Sequence, residues 1–353
     1  MDRRLKLLFE KLKVNKLDGF LVSKDANVSY LSRFKSRDSC LLLSRQGNFF
    51  ITDFRYIEEA QKNTAGLKVF QYKNLFGDIA SLSDKLRIKR LGFEAPALTF
   101  AEYSRIKGYL RPKTKLVETY NIIEGLRQIK DKVELKSIRE AIAITAKTFK
   151  FLKSNLRAGQ TELQLAAEVE HFIRYHGAQM SAFDIIIASG PHSSFPHANI
   201  SNRKIRPCEP ILIDIGTQIN GYKSDLTRVF FLDRIKPIHR KIYSIIRDAQ
   251  AKAIEVIRPG VQFSRIDQAC RSYLEKRGYA RYFGHNLGHG VGLEIHEEPS
   301  ISAKNKSLVK EGMVFTIEPG VYFPSRFGIR LEDMVYVTGK GVEVLSGAVD
   351  KSI

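Results

Sequence analysis

Two acidic residues lie within strongly apolar, strand-like runs in the second half of the chain. Asp214 interrupts Ile211–Gly216, and Asp225 follows eleven residues later on the returning strand, after a turn signal at Asn220-Gly221. The two acids are equidistant from Ile219-Asn220, which predicts a hairpin that turns there and places them face to face. Buried carboxylates cost several kcal/mol unless they are paired. This hairpin must therefore bring positive charge between its two acids.

A second pair of acids repeats the arrangement. Glu318 ends the strand-like run Val314–Glu318, Glu332 lies in Arg330–Asp333, and the two glutamates are equidistant from Ser325. A single acid is ordinarily a surface carboxylate, but mirrored acids within apolar strands, found twice, are hard to explain as solvated faces. Four carboxylates from two hairpins, together with a histidine on a glycine-rich segment, predict an oxygen-rich site for two divalent ions.

The glycine-rich segment Gly284–His296 carries the three histidines His285, His289 and His296. A zinc pair at His285 and His289 would need helical backbone, and the glycines around them make a helix improbable. We therefore predict a loop whose backbone approaches its neighbours closely. Ser300 occupies the place at which an HExxH motif would have its second histidine, so that zinc motif is excluded.

Hydrophobic periodicity predicts two domains, residues 1–124 and 125–353. The first alternates short apolar runs with helical patterns, which is typical of an α/β domain. In the second, a capping box at Asp131–Glu134 and a helix start at Thr161 open two amphipathic helices. The predicted inward positions of the latter helix are Leu163, Ala166, Val169 and Ile173. Because helices and then strands follow in this order twice, we predict an α+β fold with a structural pseudo-repeat.

The net charge of +20, from 58 basic and 38 acidic residues, raises the question of a nucleic-acid or membrane partner. The excess is divided about equally between the predicted domains, and the sequence has no basic tail, RNA-binding motif or zinc-finger spacing. We therefore expect neither partner. No apolar run approaches the ~18 residues of a membrane span, and the charged start MDRRLKLLFEKLK lacks a signal-peptide core, so we expect a cytoplasmic protein.

Several motifs together resemble one known family, the pita-bread dinuclear metallopeptidases of the branch that contains aminopeptidase P, prolidase (Xaa-Pro dipeptidase) and creatinase. The matching stretches are Phe195–Ala198, Asp214–Gly216, Gly221–Arg228, Gly288–Leu293, His296-Glu297, Thr316–Gly320 and Gly328–Asp333. Thr52–Tyr56 and Glu124–Asp131 look like the N-terminal domain and the interdomain segment of the same branch. The resemblance implies a creatinase-type α/β N-terminal domain followed by a pita-bread (methionine aminopeptidase-like) catalytic domain.

The resemblance also implies a role for each matching site residue. The implied metal ligands are Asp214, Asp225, His289, Glu318 and Glu332, with Asp225 and Glu332 bridging two divalent ions. His197 and His296 would line the substrate site and stabilise the tetrahedral intermediate, and Glu318 would move the proton. His285 would contact the substrate, and Arg330 would brace the site. Oxygen-dominated ligation favours Mn²⁺ as the cofactor, and Co²⁺ and Zn²⁺ are also compatible with it.

These implications predict a Xaa-Pro metallopeptidase of aminopeptidase P or prolidase type, which hydrolyses the bond between an N-terminal residue and proline with metal-activated water. Its substrates would be peptides with proline at the second position, and the resemblance implies a homodimer. Ser300 stands where some dipeptidases of this branch have a basic residue, so aminopeptidase and dipeptidase specificity both stay open.

Two alternatives to a Xaa-Pro peptidase also stay open. One is a creatinase-like amidinohydrolase, which is disfavoured because creatinase works without metal whereas all five ligand positions are filled here. The other is a catalytically silent pita-bread module that binds protein or nucleic acid. The net charge of +20 favours such a module, and the intact ligand set argues against it.

Overall fold

The computed structural model describes residues 2–35, 37–64 and 66–353. They form two compact units, Met1–Arg127 and Gln128–Ile353, which we call the N-terminal unit and the C-terminal unit. The domain boundary predicted from the sequence, at residue 124, falls inside the last helix of the N-terminal unit. Throughout these described ranges, the helices lack the length and apolar character that crossing a membrane requires.

The N-terminal unit is built on a mixed sheet with helices before, between and after its strands. The strands are β1 (Gly19–Val22), β2 (Cys40–Ser44), β3 (Gly47–Thr52), β4 (Lys68–Gln71), β5 (Arg90–Glu94) and β6 (Lys115–Thr119). The helices are α1 (Arg3–Val14), α2 (Asp25–Ser32), α3 (Ile57–Asn63), α4 (Leu75–Lys85), α5 (Phe100–Tyr109) and α6 (Ile122–Arg127).

The strand order in this sheet is β4-β3-β2-β1-β5-β6. β1, β2 and β3 pair antiparallel, whereas β3 and β4, β1 and β5, and β5 and β6 pair parallel. Every residue of β1 and β2 is buried, as expected for central strands that are covered on both faces. The predicted α/β domain is therefore confirmed.

The C-terminal unit contains two pairs of long helices and several small antiparallel sheets. The helices are α7 (Lys132–Asn155), α8 (Glu162–Tyr175), α9 (Pro237–Glu255) and α10 (Phe263–Lys276), with short 3₁₀ helices at Gly190–Ser194 and Ala280–Tyr282. The strands are β7 (Met180–Ser181), β8 (Ile186–Ser189), β9 (Pro210–Ile215), β10 (Thr217–Ile219), β11 (Tyr222–Lys223), β12 (Leu226–Phe231), β13 (Gly288–Gly290), β14 (Glu297–Ile301), β15 (Val314–Ile317), β16 (Gly320–Phe323), β17 (Phe327–Arg330), β18 (Asp333–Thr338) and β19 (Gly341–Val344).

Each helix pair belongs to its own apolar cluster. One apolar cluster joins α7 and α8 to β9, with Leu165 and Ile213 fully buried at its centre. Another joins α9 and α10 to β15, with Ile246 and Phe315 fully buried. The strands form the sheets β11-β10-β7, β12-β9-β8, β14-β13-β15-β18-β19 and β16-β17. The predicted order of helix, helix and strands therefore occurs twice, as an α+β fold.

The helix starts agree with the sequence signals, but one inward position is wrong. Asp131 and Thr161 both form the predicted capping boxes. Leu163, which was predicted to face inward, is 51% exposed, whereas Glu162 is fully buried. The inward positions at 165, 166, 169 and 173 form one helical face, and the 3.6-residue period places 162 on that face and 163 away from it. The face begins with an acid, which a hydrophobic pattern does not reveal.

The hairpin that carries Asp214 and Asp225, which we call the first acidic hairpin, passes from the sheet of β9 to the sheet of β10 at Gly216. A Cβ at this position would lie 2.0 Å from the backbone oxygen of Ser224 on the opposite strand. Only glycine allows the backbone at residue 216 to lie this close to the Ser224 backbone, because backbone atoms cannot move aside as a flexible side chain can.

We predict that Gly216→Ala destabilises the protein by about 1–3 kcal/mol, as overpacking of a rigid site does. Gly341→Ala is the matched control, because a Cβ at Gly341 meets nothing within 4 Å. Thermal unfolding followed by circular dichroism checks both variants. An unchanged melting temperature for Gly216→Ala would show that the hairpin can shift without cost.

Candidate metal centre

The first acidic hairpin carries Asp214 in β9 and Asp225 just before β12. Asp214 lies opposite Thr227, not opposite Asp225 as predicted, because the turn is centred on Asn220-Gly221 rather than on Ile219-Asn220. Both turn residues have positive φ, 51° and 84°, which is typical of a two-residue Asn-Gly hairpin. In this register, Asp225 lies two residues away from the position opposite Asp214. Because side chains alternate between the two faces of a strand, both acids stay on one face of the hairpin.

The hairpin that carries Glu318 and Glu332, which we call the second acidic hairpin, has the predicted register. Ile317 pairs with Asp333, and the same register continues through β16 and β17, so the hairpin is symmetric about Ser325. Ser325 itself has a left-handed φ of 58°, which closes the loop. Glu318 and Glu332 therefore lie level with each other between the two strand pairs.

His289 joins the acids from β13. Its Nε2 lies 3.5 Å from Asp225 Oδ2 and 3.3 Å from Glu318 Oε1. Its Nδ1 lies 3.1 Å from the carbonyl oxygen of Gly290, to which an Nδ1–H would donate. This hydrogen bond orients the ring so that Nε2 faces the carboxylates, an arrangement found at many histidine ligands.

Within the predicted loop Gly284–His296, the three residues around His289 form a short strand, and the rest lies outside helices and strands. Gly288–Gly290 pairs with β14 and with β15. The predicted close approach of its backbone is present, since a Cβ at Gly288 would lie 2.0 Å from the carbonyl oxygen of Thr316. Glycine thus lets this strand lie against β15, which holds His289 next to the second hairpin.

Two threonines hold the glutamates of the site. The Thr227 hydroxyl donates to Glu332 Oε2 at 2.7 Å and accepts from Arg330 Nε at 3.0 Å. The Thr316 hydroxyl donates to Glu318 Oε1 at 3.1 Å and accepts from a backbone N–H of β13 at 3.1 Å. We did not predict either threonine, although each lies two residues from a predicted ligand within a recognised motif.

Arg330 is a buried guanidinium that contacts three parts of the site. One terminal nitrogen donates to Asp214 Oδ2 at 2.6 Å, and the other donates to the Pro196 carbonyl at 3.0 Å and to the Tyr322 hydroxyl at 2.9 Å. The second oxygen of Asp214, Oδ1, is buried and has no hydrogen-bond partner among the described residues. Leaving such a group unsatisfied costs about 1–3 kcal/mol, so a further ligand is expected there.

The site contains more negative than positive charge. Burial raises the pKa of Asp214, Asp225 and Glu332, and the neighbouring carboxylates raise it further. Burial also tends to raise the pKa of Glu318, but the hydrogen bond and charge of His289 outweigh it and lower that pKa. Four carboxylates thus surround the single guanidinium of Arg330 and one imidazole.

The other predicted histidines lie beside this cluster. The His296 ring is T-shaped against the His289 ring, with centroids 4.2 Å apart. His197 is exposed on the segment that follows the 3₁₀ helix Gly190–Ser194, and it lies close enough to His285 and His296 to act on them electrostatically. Burial is the main cause that lowers the pKa of His285 and of His296.

Tyr322 links His285 to Arg330, a connection that we did not predict. The Tyr322 hydroxyl lies 3.2 Å from His285 Nε2, while His285 Nδ1 lies 2.8 Å from the Asn286 carbonyl. Both ring nitrogens of His285 therefore contact protein groups. Nothing in the sequence marks Tyr322 as different from other strand tyrosines, because only the hairpin brings it beside Arg330.

The donor set fits divalent cations. In the described part of the chain, Asp225, His289 and Glu332 offer ligand atoms that all lie within 4.8 Å of one another. Glu318 contacts His289, and Asp214 supplies the buried oxygen without a donor. Carboxylate oxygens with one imidazole suit Mn²⁺ and related ions. The excess of negative charge and the unsatisfied oxygen both favour cations at this place.

Comparisons with known proteins agree with this geometry. The model of metallopeptidase family M24 matches residues 136–339, and the model of the Creatinase/Prolidase N-terminal domain matches residues 4–129. Together they cover both units of the structure. The fold class and the family resemblance that the motifs implied are thereby confirmed.

Similar proteins match along nearly their whole length. The chain is 33% identical to the Xaa-Pro dipeptidase of Pyrococcus furiosus, covering 98% of both chains. The structure of a Xaa-Pro dipeptidase from Bacillus anthracis superposes with a TM-score of 0.96 at 34% identity, covering 99% of this chain and 98% of that one. An X-Pro aminopeptidase from Thermotoga maritima superposes with a TM-score of 0.91 at 32% identity, covering 100% and 99%. The chain therefore belongs to metallopeptidase family M24 and carries a Creatinase/Prolidase N-terminal domain.

Proposed function

We propose that this metallopeptidase is a Xaa-Pro dipeptidase of the prolidase type, which hydrolyses the bond between an N-terminal residue and proline. The observation that carries the proposal is the convergence of four carboxylates and His289 on one site with too little positive charge. The names of similar relatives and of a similar solved structure, which are Xaa-Pro dipeptidases, supply the substrate class. The homodimer and the cytoplasmic location expected from the sequence stay predictions.

The residues that would hold two divalent ions are Asp214, Asp225, His289, Glu318 and Glu332. Bound divalent ions supply Lewis acidity, which lowers the pKa of water and polarises a carbonyl group. Mn²⁺ is the expected ion, because oxygen donors dominate the set. The two threonine hydroxyls orient the glutamates, so that the ligands need little rearrangement when an ion binds.

The protein's own groups then handle the proton and the developing charge. Glu318 would take a proton from the attacking water and give one to the proline nitrogen, which would leave as a secondary amine. Because the proline nitrogen of a Xaa-Pro bond carries no hydrogen, the site cannot recognise that bond through an N–H donor. His197 and His296 would instead donate to the carbonyl oxygen as it becomes an oxyanion. Arg330 holds Asp214, and His285 would contact the substrate from beside Tyr322.

Hydrolysis of Ala-Pro, Ala-Ala and Ala-Pro-Ala in the presence of Mn²⁺ tests this function. We expect turnover of Ala-Pro, little turnover of Ala-Ala, and slower turnover of the tripeptide. Preference for Ala-Pro-Ala would instead indicate aminopeptidase P activity. Turnover of creatine would favour the amidinohydrolase, and inactivity of the metal-loaded protein on every substrate would favour a silent binding module.

We predict that Asp225→Asn keeps the fold but abolishes turnover of Ala-Pro, because a neutral amide would hold cations far less well than the carboxylate. Metal content per chain should fall together with activity. Glu140→Gln, at an exposed glutamate of α7, removes one negative charge away from the site and should change neither quantity. Wild-type activity in Asp225→Asn would contradict the proposed ligand set.

We predict that His197→Ala retains the metal and the melting temperature of the wild type but loses about 10²–10³ in kcat, the usual cost of removing one oxyanion donor. The change in KM should be smaller, because the interaction is stronger in the transition state. Steady-state kinetics with Ala-Pro provide the measurement. A kcat within about twofold of the wild type would leave His197 as an ordinary exposed histidine.

A further inference from the structure

A buried carboxylate outside the metal centre takes no part in the chemistry described above. Glu162 begins α8, and its side chain is fully buried. Its carboxylate accepts hydrogen bonds from the backbone N–H and the hydroxyl of Ser189, both at 2.8 Å, from His192 Nδ1 at 2.8 Å, and from the Ser201 hydroxyl at 2.6 Å. Four donors fill the lone pairs of a carboxylate, which offsets the cost of its burial.

These donors belong to one stretch of chain, residues 189–201, which we call the histidine segment. Ser189 and Ser201 are its two ends, His192 lies near its start, and His197 lies between His192 and Ser201. Glu162 therefore ties both ends of the segment to the same carboxylate. Backbone pairing holds the same two ends, because Ser189 pairs with Ile211 and the Ser201 carbonyl accepts from the Leu163 N–H.

The middle of the histidine segment is held by the second acidic hairpin. The Ser193 hydroxyl accepts from the backbone N–H of Gly328 at 2.9 Å, and the Pro196 carbonyl accepts from Arg330 at 3.0 Å. A Cβ at Gly328 would lie 2.1 Å from the Ser193 carbonyl oxygen, so the two backbones are in close contact. The backbone next to His197 is thus fixed relative to β17 and to the arginine that binds Asp214.

His197 itself is exposed, so close packing of its ring does not determine where it lies. Its direction must come from the backbone that carries it. A catalytic donor that is displaced by about 1 Å can lose much of its effect, up to about 10²-fold in rate. The anchored histidine segment is therefore a means of placing an exposed donor with the accuracy that the reaction needs.

We infer that Glu162 and His192 are positioning residues that act on the peptidase reaction through His197. This inference rests on the role of His197 in the proposed function. The hydrogen bond from His192 to Glu162 fixes the first part of the segment, so its loss displaces His197 while the metal ligands, which lie on β9, β13 and the second acidic hairpin or next to β12, stay in place.

Two substitutions of His192 separate its hydrogen bond from its bulk. His192→Asn keeps an N–H donor close to the position of Nδ1, whereas His192→Leu has a similar shape and no donor. With Ala-Pro and Mn²⁺, we expect His192→Leu to lower kcat about tenfold or more, and His192→Asn to stay within about threefold of the wild type. KM and metal content should change little in both. The melting temperature should fall modestly in His192→Leu alone, because that variant leaves the buried Glu162 carboxylate with one donor fewer.

The same substitutions in a His197→Ala background test the route of the effect. If His192 acts through His197, adding His192→Leu to His197→Ala should change kcat by no more than about twofold. A further tenfold loss in the double variant would show that His192 supports the structure in general or acts through another group. Equal losses in His192→Leu and His192→Asn would likewise contradict a role for the hydrogen bond.

The outcomes also separate this inference from the proposed function. A normal loss of kcat in His197→Ala with an unaffected His192→Leu would overturn the inference alone. An unaffected His197→Ala would overturn the role of His197 and the inference with it, while Ala-Pro hydrolysis by the wild type would still support the peptidase. Glu162→Gln, which turns an amide N–H toward donors, should lower kcat at least as much as His192→Leu and show the same dependence on His197.

Discussion

Repulsion among four carboxylates within one site is the physical constraint on which the rest of the C-terminal unit depends. Asp214, Asp225 and Glu332 are buried, and their pKa values are raised because burial and neighbouring acids oppose ionisation. Arg330 pairs directly with Asp214, and its charge offsets only part of the rise in the pKa of Asp225 and Glu332. The remaining charge must be met by cations or by protons, and the unsatisfied Asp214 oxygen favours cations. A fold that holds these acids together is thus a fold built to bind metal.

Some residues hold the acids of the site by direct contact, and others act on it through intervening residues. Thr227 and Thr316 orient the glutamates directly, and glycines at the tight approaches allow the strands to come together. Arg330 connects the cluster to the histidine segment through the Pro196 carbonyl. Glu162, at the start of α8 in the first half of the pseudo-repeat, binds both ends of the same segment. The precision of the proposed active site therefore depends on both halves of the pseudo-repeat, because each provides one anchor for the segment that carries His197.

A strand pairing could be predicted from the sequence where the local pattern allows only one turn position. The second acidic hairpin is symmetric about Ser325, so pairing Glu318 with Glu332 followed directly. The first hairpin turns at its Asn220-Gly221 signal, whereas the equal spacing of its two acids favoured Ile219-Asn220, and the observed strand pairing decides between the two. Thr227 lies within a recognised motif and could have been singled out from it. Tyr322 and Glu162 could not be predicted, since tyrosines are common in strands and an acid in the first turn of a helix is ordinarily solvated. Their importance comes from contacts between distant parts of the chain.

If bound cations balance the charge of the four acids, the protein should be less stable without them. Measuring the number of bound ions per chain together with the melting temperature tests this most directly. Wild-type protein, loaded with Mn²⁺ and dialysed, should hold two ions per chain, and verified removal by a chelator should lower its melting temperature because binding stabilises the folded state. Returning Mn²⁺ should restore both the ions and the melting temperature. A folded chain that retains no ion, or an unchanged melting curve after verified removal, would contradict the account.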